Sequence, residues 1–440
     1  MANDPAGDRP IAGIAGRADP VPRGAIRRLL ATASCALLVA IAVLAHATDA
    51  RAEPAILVAI AAEIAEHGEE AHLSVTLDGP IEARAFAIDR PDRIVVDLPR
   101  VSFRVPADTR PSGGLVASTR LGLFSAERSR IVLELAAPAR IAGLDVSRRP
   151  DGAWVMTLAL APTSPEAFRE AVAADAAALR EASAHGLRGA LPAPGDTRPT
   201  IVIDPGHGGI DPGATTADGI EEKEIVFAFS MRLRERLEES GRFRVVMTRE
   251  EDVFVALSER VAIARTAGAD LLVSIHADSI SSAPQVSGLT VWTNAERASD
   301  AASAALAERE NRADVAGGVA REEVAGEVAD ILRELTARET RGYSHVFART
   351  LVDGMQRVVR LNRNPHRQAA FTVLRAHDVP SVLVELGYLS SRQDIELLVS
   401  DAWRDEATAA MAEAIERFFA PRLDRAQVLQ TGDVRAAVSP

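Results

Sequence analysis

Between residues 56 and 160 the apolar positions come in short runs that alternate with polar ones or stand as brief solid blocks. HLSVTLDG, RIVVDLP, RSRIVLELAAP and AWVMTLALAP are each bounded by Gly, Pro or Asp. Runs of this length and period fit strands, and no helical period competes over the span. The pattern predicts a small all-β sandwich over 53–161. An alanine-rich charged stretch, PEAFREAVAADAAALREASAHG, and a proline-rich one, ALPAPGDTRP, then read as a partly helical linker over 162–199. From Thr200 the period switches back and forth. IVIDPG reads as a strand, and Ile225, Phe229, Leu233 and Leu237 stand at steps of four on an amphipathic helix. FRVVMT is a strand, LSERVAIARTAG a helix and ADLLVSIHAD a buried strand. This alternation predicts an α/β domain over 200–421, a mostly parallel sheet flanked by helices.

The ends change the picture of where the chain works. Arg17, Arg23, Arg27 and Arg28 precede the apolar run LLATASCALLVAIAVLA, and Ala50 and Ala52 follow at cleavage spacing. This predicts a signal peptide over 1–52, removed near Ala52, and export to the periplasm. The competing reading is a single membrane anchor, because the run approaches spanning length. Arg27-Arg28 permits twin-arginine export and leaves the general secretory route open. Cys35 is the only cysteine, so cleavage leaves a mature chain without disulfides, thiolate metal sites or a cysteine nucleophile. A net charge of −12 argues against nucleic acid as a partner. Residues 422–440 read as a C-terminal tail.

Ligand sites in such sheets gather beyond the carboxyl ends of the strands. His207 follows the strand at Ile201–Ile203, and His276 ends the strand at Leu271–Ile275. Glu222 opens a helix, and Glu385 ends the apolar run PSVLVELGY. Two imidazoles and two carboxylates therefore converge on one rim. Two neutral imidazoles and one carboxylate suit a tetrahedral zinc site whose fourth position is open to water. Zinc lowers the pKa of such water and polarises a carbonyl, while a second carboxylate can move the proton. Taken singly, each residue has a plainer explanation, such as a turn histidine or a glutamate answering a helix dipole.

IVIDPGHGGIDPGA, EEKEIV, MTREEDVF, SERVAIA, LLVSIHAD and PSVLVELGYLS, in this order, resemble the zinc-dependent N-acetylmuramoyl-L-alanine amidases of bacterial cell-wall metabolism. Fragments such as RIVVDLP and RIVLEL make the first domain similar to the AMIN module found ahead of periplasmic cell-division amidases. The resemblance implies hydrolysis of the amide between N-acetylmuramic acid and L-alanine in peptidoglycan, for wall remodelling and daughter-cell separation. It implies Zn2+ on His207, Glu222 and His276, with Glu385 as the catalytic glutamate. The β domain, which holds no His, Asp and Glu cluster, is expected to bind or target to the wall.

A long connection over about 295–340 is more than a minimal α/β hydrolase needs. In the cell-division branch of the resembled family a helix here covers the zinc, and a regulator displaces it. In this chain Glu322, Glu323 and Glu327 are the carboxylates expected to reach the metal. Val324, Val328, Ile331, Leu332 and Leu335 form an expected apolar docking face that could also serve an activator protein. Gly317, Gly318 and Gly326 are expected flexible points. His345 and His377 have no partner spacing, and His366 stands either at the groove or on the surface. The rival function is a non-catalytic peptidoglycan-binding scaffold, which needs neither a zinc set nor a base.

Overall fold

The computed structural model describes residues 56–67, 69–105, 114–183, 196–280, 283, 285–319 and 331–431. The expected signal peptide with Cys35 and the glutamates Glu322, Glu323 and Glu327 lie outside the described residues; of the expected tail over 422–440, residues 422–431 continue the last helix and the rest lie outside them. Among the described residues no helix is long and apolar enough to cross a membrane.

Nine strands build the first part: β1 (Leu57–His67), β2 (Glu70–Leu77), β3 (Arg84–Ile88), β4 (Arg93–Pro99), β5 (Val101–Phe103), β6 (Val116–Leu123), β7 (Arg128–Leu135), β8 (Ala139–Arg148) and β9 (Trp154–Pro162). They form a five-stranded sheet in the order β5-β1-β2-β9-β8 and a four-stranded sheet in the order β3-β4-β7-β6. Strand β2 alternates buried and half-buried positions, as a sheet with one covered face requires. Leu73, Val75 and Leu77 point into a core shared with Ile94, Val96, Ile131, Leu133, Met156 and Leu158. The solid apolar runs of β4 and β7 have a different cause, because their sheet is covered on both faces. Val95 and Val132 face away from the sandwich core and pack with Ile210 and Phe254 of the following domain.

Helix α1 (Pro165–Ser183) occupies half of the expected linker. It is docked, not free: Phe168 is buried in the sandwich core, and the Asp175 carboxylate accepts the Ala87 N–H of edge strand β3 at 2.8 Å.

The second part runs β10 (Thr200–Pro205), α2 (Glu222–Glu239), β11 (Arg244–Met247), α3 (Leu257–Thr266), β12 (Leu271–His276), β13 (Leu289–Asn294), α4 (Ala301–Glu310), α5 (Ala313–Ala316), α6 (Ile331–Met355), β14 (Leu361–Ala369), β15 (Ser381–Glu385), α7 (Arg392–Leu398) and α8 (Asp401–Thr431). The sheet order is β11-β10-β12-β15-β13-β14. The first four strands are parallel, whereas β13 runs antiparallel to β15 and β14 runs parallel to β13. Every residue of β10, β12 and β15 is buried, which is why they read as unbroken apolar blocks. Ile201, Ile203, Val273 and Val384 pack with α2, α6 and α8, and Val202 and Leu272 pack on the other face with Ala264 of α3. Of the apolar face expected on the insert, only Leu335 has a described side chain, and it is exposed instead of docked.

Candidate metal centre

The parallel register sets the site. Pro205 pairs with Ile275 and His276 pairs with Glu385, so the ends of β10, β12 and β15 reach one rim together. His207 sits just past β10 with φ +56, a left-handed conformation uncommon for a residue with a side chain. Buried arginines hold this turn through its carbonyls. Arg260 donates to His207 O at 2.8 Å and to Pro205 O at 2.8 Å, and Arg249 donates to Gly206 O at 3.0 Å. Arg260 is itself paired with Asp204, whose carboxylate also accepts the hydroxyls of Thr248 and Ser274. A side chain at Gly206 would meet the His276 ring at 2.5 Å, so the absence of a Cβ there lets the two imidazoles come together.

The ring centroids of His207 and His276 are 5.0 Å apart. Fully buried Glu222, at the first turn of α2, spans them. Its Oε1 lies 3.2 Å from His276 Nδ1 and accepts the Ala277 N–H, and its Oε2 lies 3.3 Å from His207 Nε2 and accepts the Ala214 N–H. Glu385 is buried with one oxygen on the Asp278 N–H at 3.0 Å and the other without a partner. All four residues expected from the sequence are thus brought to one place.

Two further carboxylates stand there that the sequence did not single out. Asp211 Oδ2 lies 2.8 Å from His207 Nδ1, which turns Nε2 inward. Glu310, the last residue of α4, places Oε2 3.1 Å from His276 Nδ1 and 3.5 Å from His207 Nε2. Its neighbour Arg309 donates to Asp278 Oδ2 at 2.6 Å. The insert therefore does bring a glutamate to the imidazoles, from its first helix, while Glu322, Glu323 and Glu327 lie outside the described residues. His366 sits within β14 with Thr293 at 3.1 Å and its ring beside His345, away from this cluster.

Burial alone would push both imidazoles to lower pKa, and the carboxylates reverse this. Glu222, Asp211 and Glu310 hold His207 well above its ordinary value, and Glu310 with Glu222 brings His276 up to about 10. Burial, reinforced by Glu310 and Glu222, raises Asp278 to about 7 against the pull of Arg309. Glu385 is also held well above the carboxylate range, first by burial. Carboxylates gathered around two imidazoles are a donor set that suits a divalent cation. His207 Nε2 is buried with no hydrogen-bond partner and faces the carboxylates, as a nitrogen awaiting a metal should. His207, His276 and Glu310 offer ligand atoms within 4.8 Å of one another. The residues present fit a divalent metal.

Partners that orient a ligating histidine typically contribute 10- to 100-fold in metal affinity. Asp211→Ala is therefore expected to weaken divalent-metal binding by about 10- to 100-fold, read by competition with a chromogenic chelator. An unchanged affinity would show that the His207 tautomer is fixed by something else.

The family described as N-acetylmuramoyl-L-alanine amidase matches residues 201–417, and the AMIN domain matches residues 62–152. The N-acetylmuramoyl-L-alanine amidase AmiC of Escherichia coli O6:H1 is 30% identical over 383 residues, covering 79% of this chain and 86% of that protein. AmiC of Neisseria meningitidis serogroup B is 31% identical over 372 residues, with the same shares covered. Among solved structures, the amidase AmiC2 of Nostoc punctiforme aligns with 51% of this chain and 99% of its own, at 28% identity and a TM-score of 0.37.

Proposed function

The chain belongs to the N-acetylmuramoyl-L-alanine amidase family, and we propose on that premise that it is an exported zinc enzyme, held back by its own insert, that cuts peptidoglycan during daughter-cell separation. His207, Glu222 and His276 hold the zinc, and Glu385 moves the proton. The observation that carries this reading is the pair of buried orphan atoms, His207 Nε2 and Glu385 Oε1, on one rim with Glu222 between the imidazoles. A zinc ion there supplies Lewis acidity toward the scissile carbonyl and lowers the pKa of a bound water. Glu385, raised in pKa by burial, accepts the proton of the attacking water and passes it to the L-alanine amine as the bond breaks. Asp278 and the β12 end fix where Glu385 stands.

Glu310 takes the position that the catalytic water needs. Its carboxylate touches both imidazoles, and the Arg309 bond to Asp278 secures the end of α4 beside it. An activator protein relieves this only by binding the open form better than the closed one. The AMIN domain directs the enzyme to the wall from the periplasm after removal of residues 1–52. Glu322, Glu323 and Glu327 remain further candidates for the same blocking role. A non-catalytic scaffold is the weaker reading, since it gives no reason to bury Glu385 with an unpaired oxygen.

Product identification from digested purified peptidoglycan, with metal analysis of the mature chain, tests the main reading. Free stem peptides starting with L-alanine, and about one zinc per chain, are expected. Intact stems at full metal loading would leave the scaffold. Glu310→Ala is expected to raise basal hydrolysis about tenfold, which corresponds to a closed state favoured by ~1.4 kcal/mol. Equal rates in folded, metal-loaded protein would remove Glu310 as a plug.

A further inference from the structure

The β domain also grips the insert, at the segment just after Glu310. Helix α5 is a single turn, and its Ala313, Val315 and Asp314 carbonyls accept the N–H groups of Gly317, Gly318 and Val319. Two buried arginines of the β domain reach the same stretch, at Val315 and at the two glycines that follow the helix. Arg93 of β4 donates Nη1 to Val315 O at 2.6 Å, and Arg130 of β7 donates Nη1 to Gly317 O at 3.0 Å and to Gly318 O at 3.1 Å. The other guanidinium nitrogens are committed to the β domain itself. Arg130 makes a forked pair with Asp97, and Arg93 holds Pro91 O and Asp89 O. Each arginine is thus fixed with one N–H group aimed out of its own domain at the insert.

Apolar packing follows the same line. Val95, Val132 and Phe86 on the outer face of the four-stranded sheet meet Ile210, Phe254 and Val319. Gly317 lies against the Phe254 ring so closely that a Cβ would stand 2.3 Å from it. Gly318, at φ +65, lies 2.8 Å by the same measure from Val132. Gly317 and Gly318, expected to be flexible, are close-packed contact points, and Gly326 lies outside the described residues. The same sheet reaches the metal loop as well, since Leu123 O of β6 accepts the Ile210 N–H at 3.0 Å, three residues after His207.

We infer that the AMIN domain is a clamp on the plug: through Arg93, Arg130 and the Val95–Val132 face it holds residues 315–319, and with them Glu310, in the closed position. The inference rests on reading Glu310 as the plug. The occupant of this outer sheet face is the chain's own insert, seated on it by three charge-assisted hydrogen bonds and an apolar seam. Because the insert and the metal loop contact one sheet, any ligand of the β domain that weakens this face favours opening, and opening loosens the face in return.

The test uses the full mature chain on purified peptidoglycan with no activator. Arg93→Gln, which removes one charge-assisted hydrogen bond, and Gly318→Ala, which drives a Cβ into Val132 from the insert's side, are each expected to raise basal hydrolysis about tenfold. Hydrogen exchange over 301–319 should speed up while β7 stays protected. In a Glu310→Ala background neither change should add further rate. If Glu310→Ala activates but both clamp variants leave rate and exchange unchanged, the clamp is wrong and the plug stands. Should Glu310→Ala fail to activate, the plug reading falls, and exchange alone decides the clamp: faster at 301–319 supports it, unchanged overturns it. If Arg93→Gln does not fold, Gly318→Ala, which leaves the β domain untouched, decides.

Discussion

A Glu385→Gln enzyme is expected to keep its metal and its fold and to lose hydrolysis by about 10²- to 10⁴-fold, the usual contribution of a positioned general acid–base group. The amide is nearly isosteric with the carboxyl, and its oxygen can still accept the Asp278 N–H that fixes the side chain. What it lacks is a basic oxygen. Burial raises the Glu385 carboxyl, and Asp278, Glu222 and Glu310 add to this while His276 opposes it. The substitution removes one of several mutually repelling carboxylates from a fully buried position, so the thermal midpoint should not fall. Turnover of purified peptidoglycan, with metal content and melting in parallel, decides the matter. Near-wild-type turnover at full metal content would exclude Glu385 as the base.

His276→Ala should differ in kind, losing metal and activity together. The ring stands at the end of β12 with Nδ1 3.2 Å from Glu222 and 3.1 Å from Glu310, where the proposed metal set would need it. Without it a single imidazole faces the carboxylates, and affinity should fall further than the 10- to 100-fold expected of an orienting partner. A ligand that binds only the native state stabilises it, by about 2.7 kcal/mol at a hundred times its dissociation constant. Added zinc should therefore raise the melting temperature of the wild-type chain and of Glu385→Gln, and leave that of His276→Ala unmoved. Stoichiometric zinc at wild-type affinity in His276→Ala would sink the ligand assignment.

The contrast between legible and hidden residues has a physical basis. His207, His276 and Glu385 could be found because each directly follows a solid apolar run, and such runs mark central strands whose ends share a rim. Glu222 was legible as the start of an amphipathic helix. Glu310 was not, because the direction in which α4 crosses the sheet is a tertiary property, carried by Leu306 and Ala307 packing against Trp292 and Phe371. Asp211 looked like one more turn aspartate in a glycine loop. The antiparallel course of β13 was hidden because an apolar run carries no sign of its direction. In the first domain, the runs containing Arg93 and Arg130 read as strands, yet only the outer sheet face explains why arginines stand within them.

The placement of β15 sets a timetable. Among the described residues it is the last strand, and it lies at the middle of the sheet, between β12 and β13. Asp278 and Glu385, joined by a hydrogen bond, are separated by 107 positions in sequence, and closures of that length form late. A chain emerging from its N-terminus acquires both imidazoles and Glu222 first, then Glu310, and only afterwards the buried Glu385. A chain that ends before Ser381 lacks the strand that joins β12 to β13, and with it Glu385, so it is expected to close neither the sheet nor the pairing of that carboxyl with the Asp278 N–H.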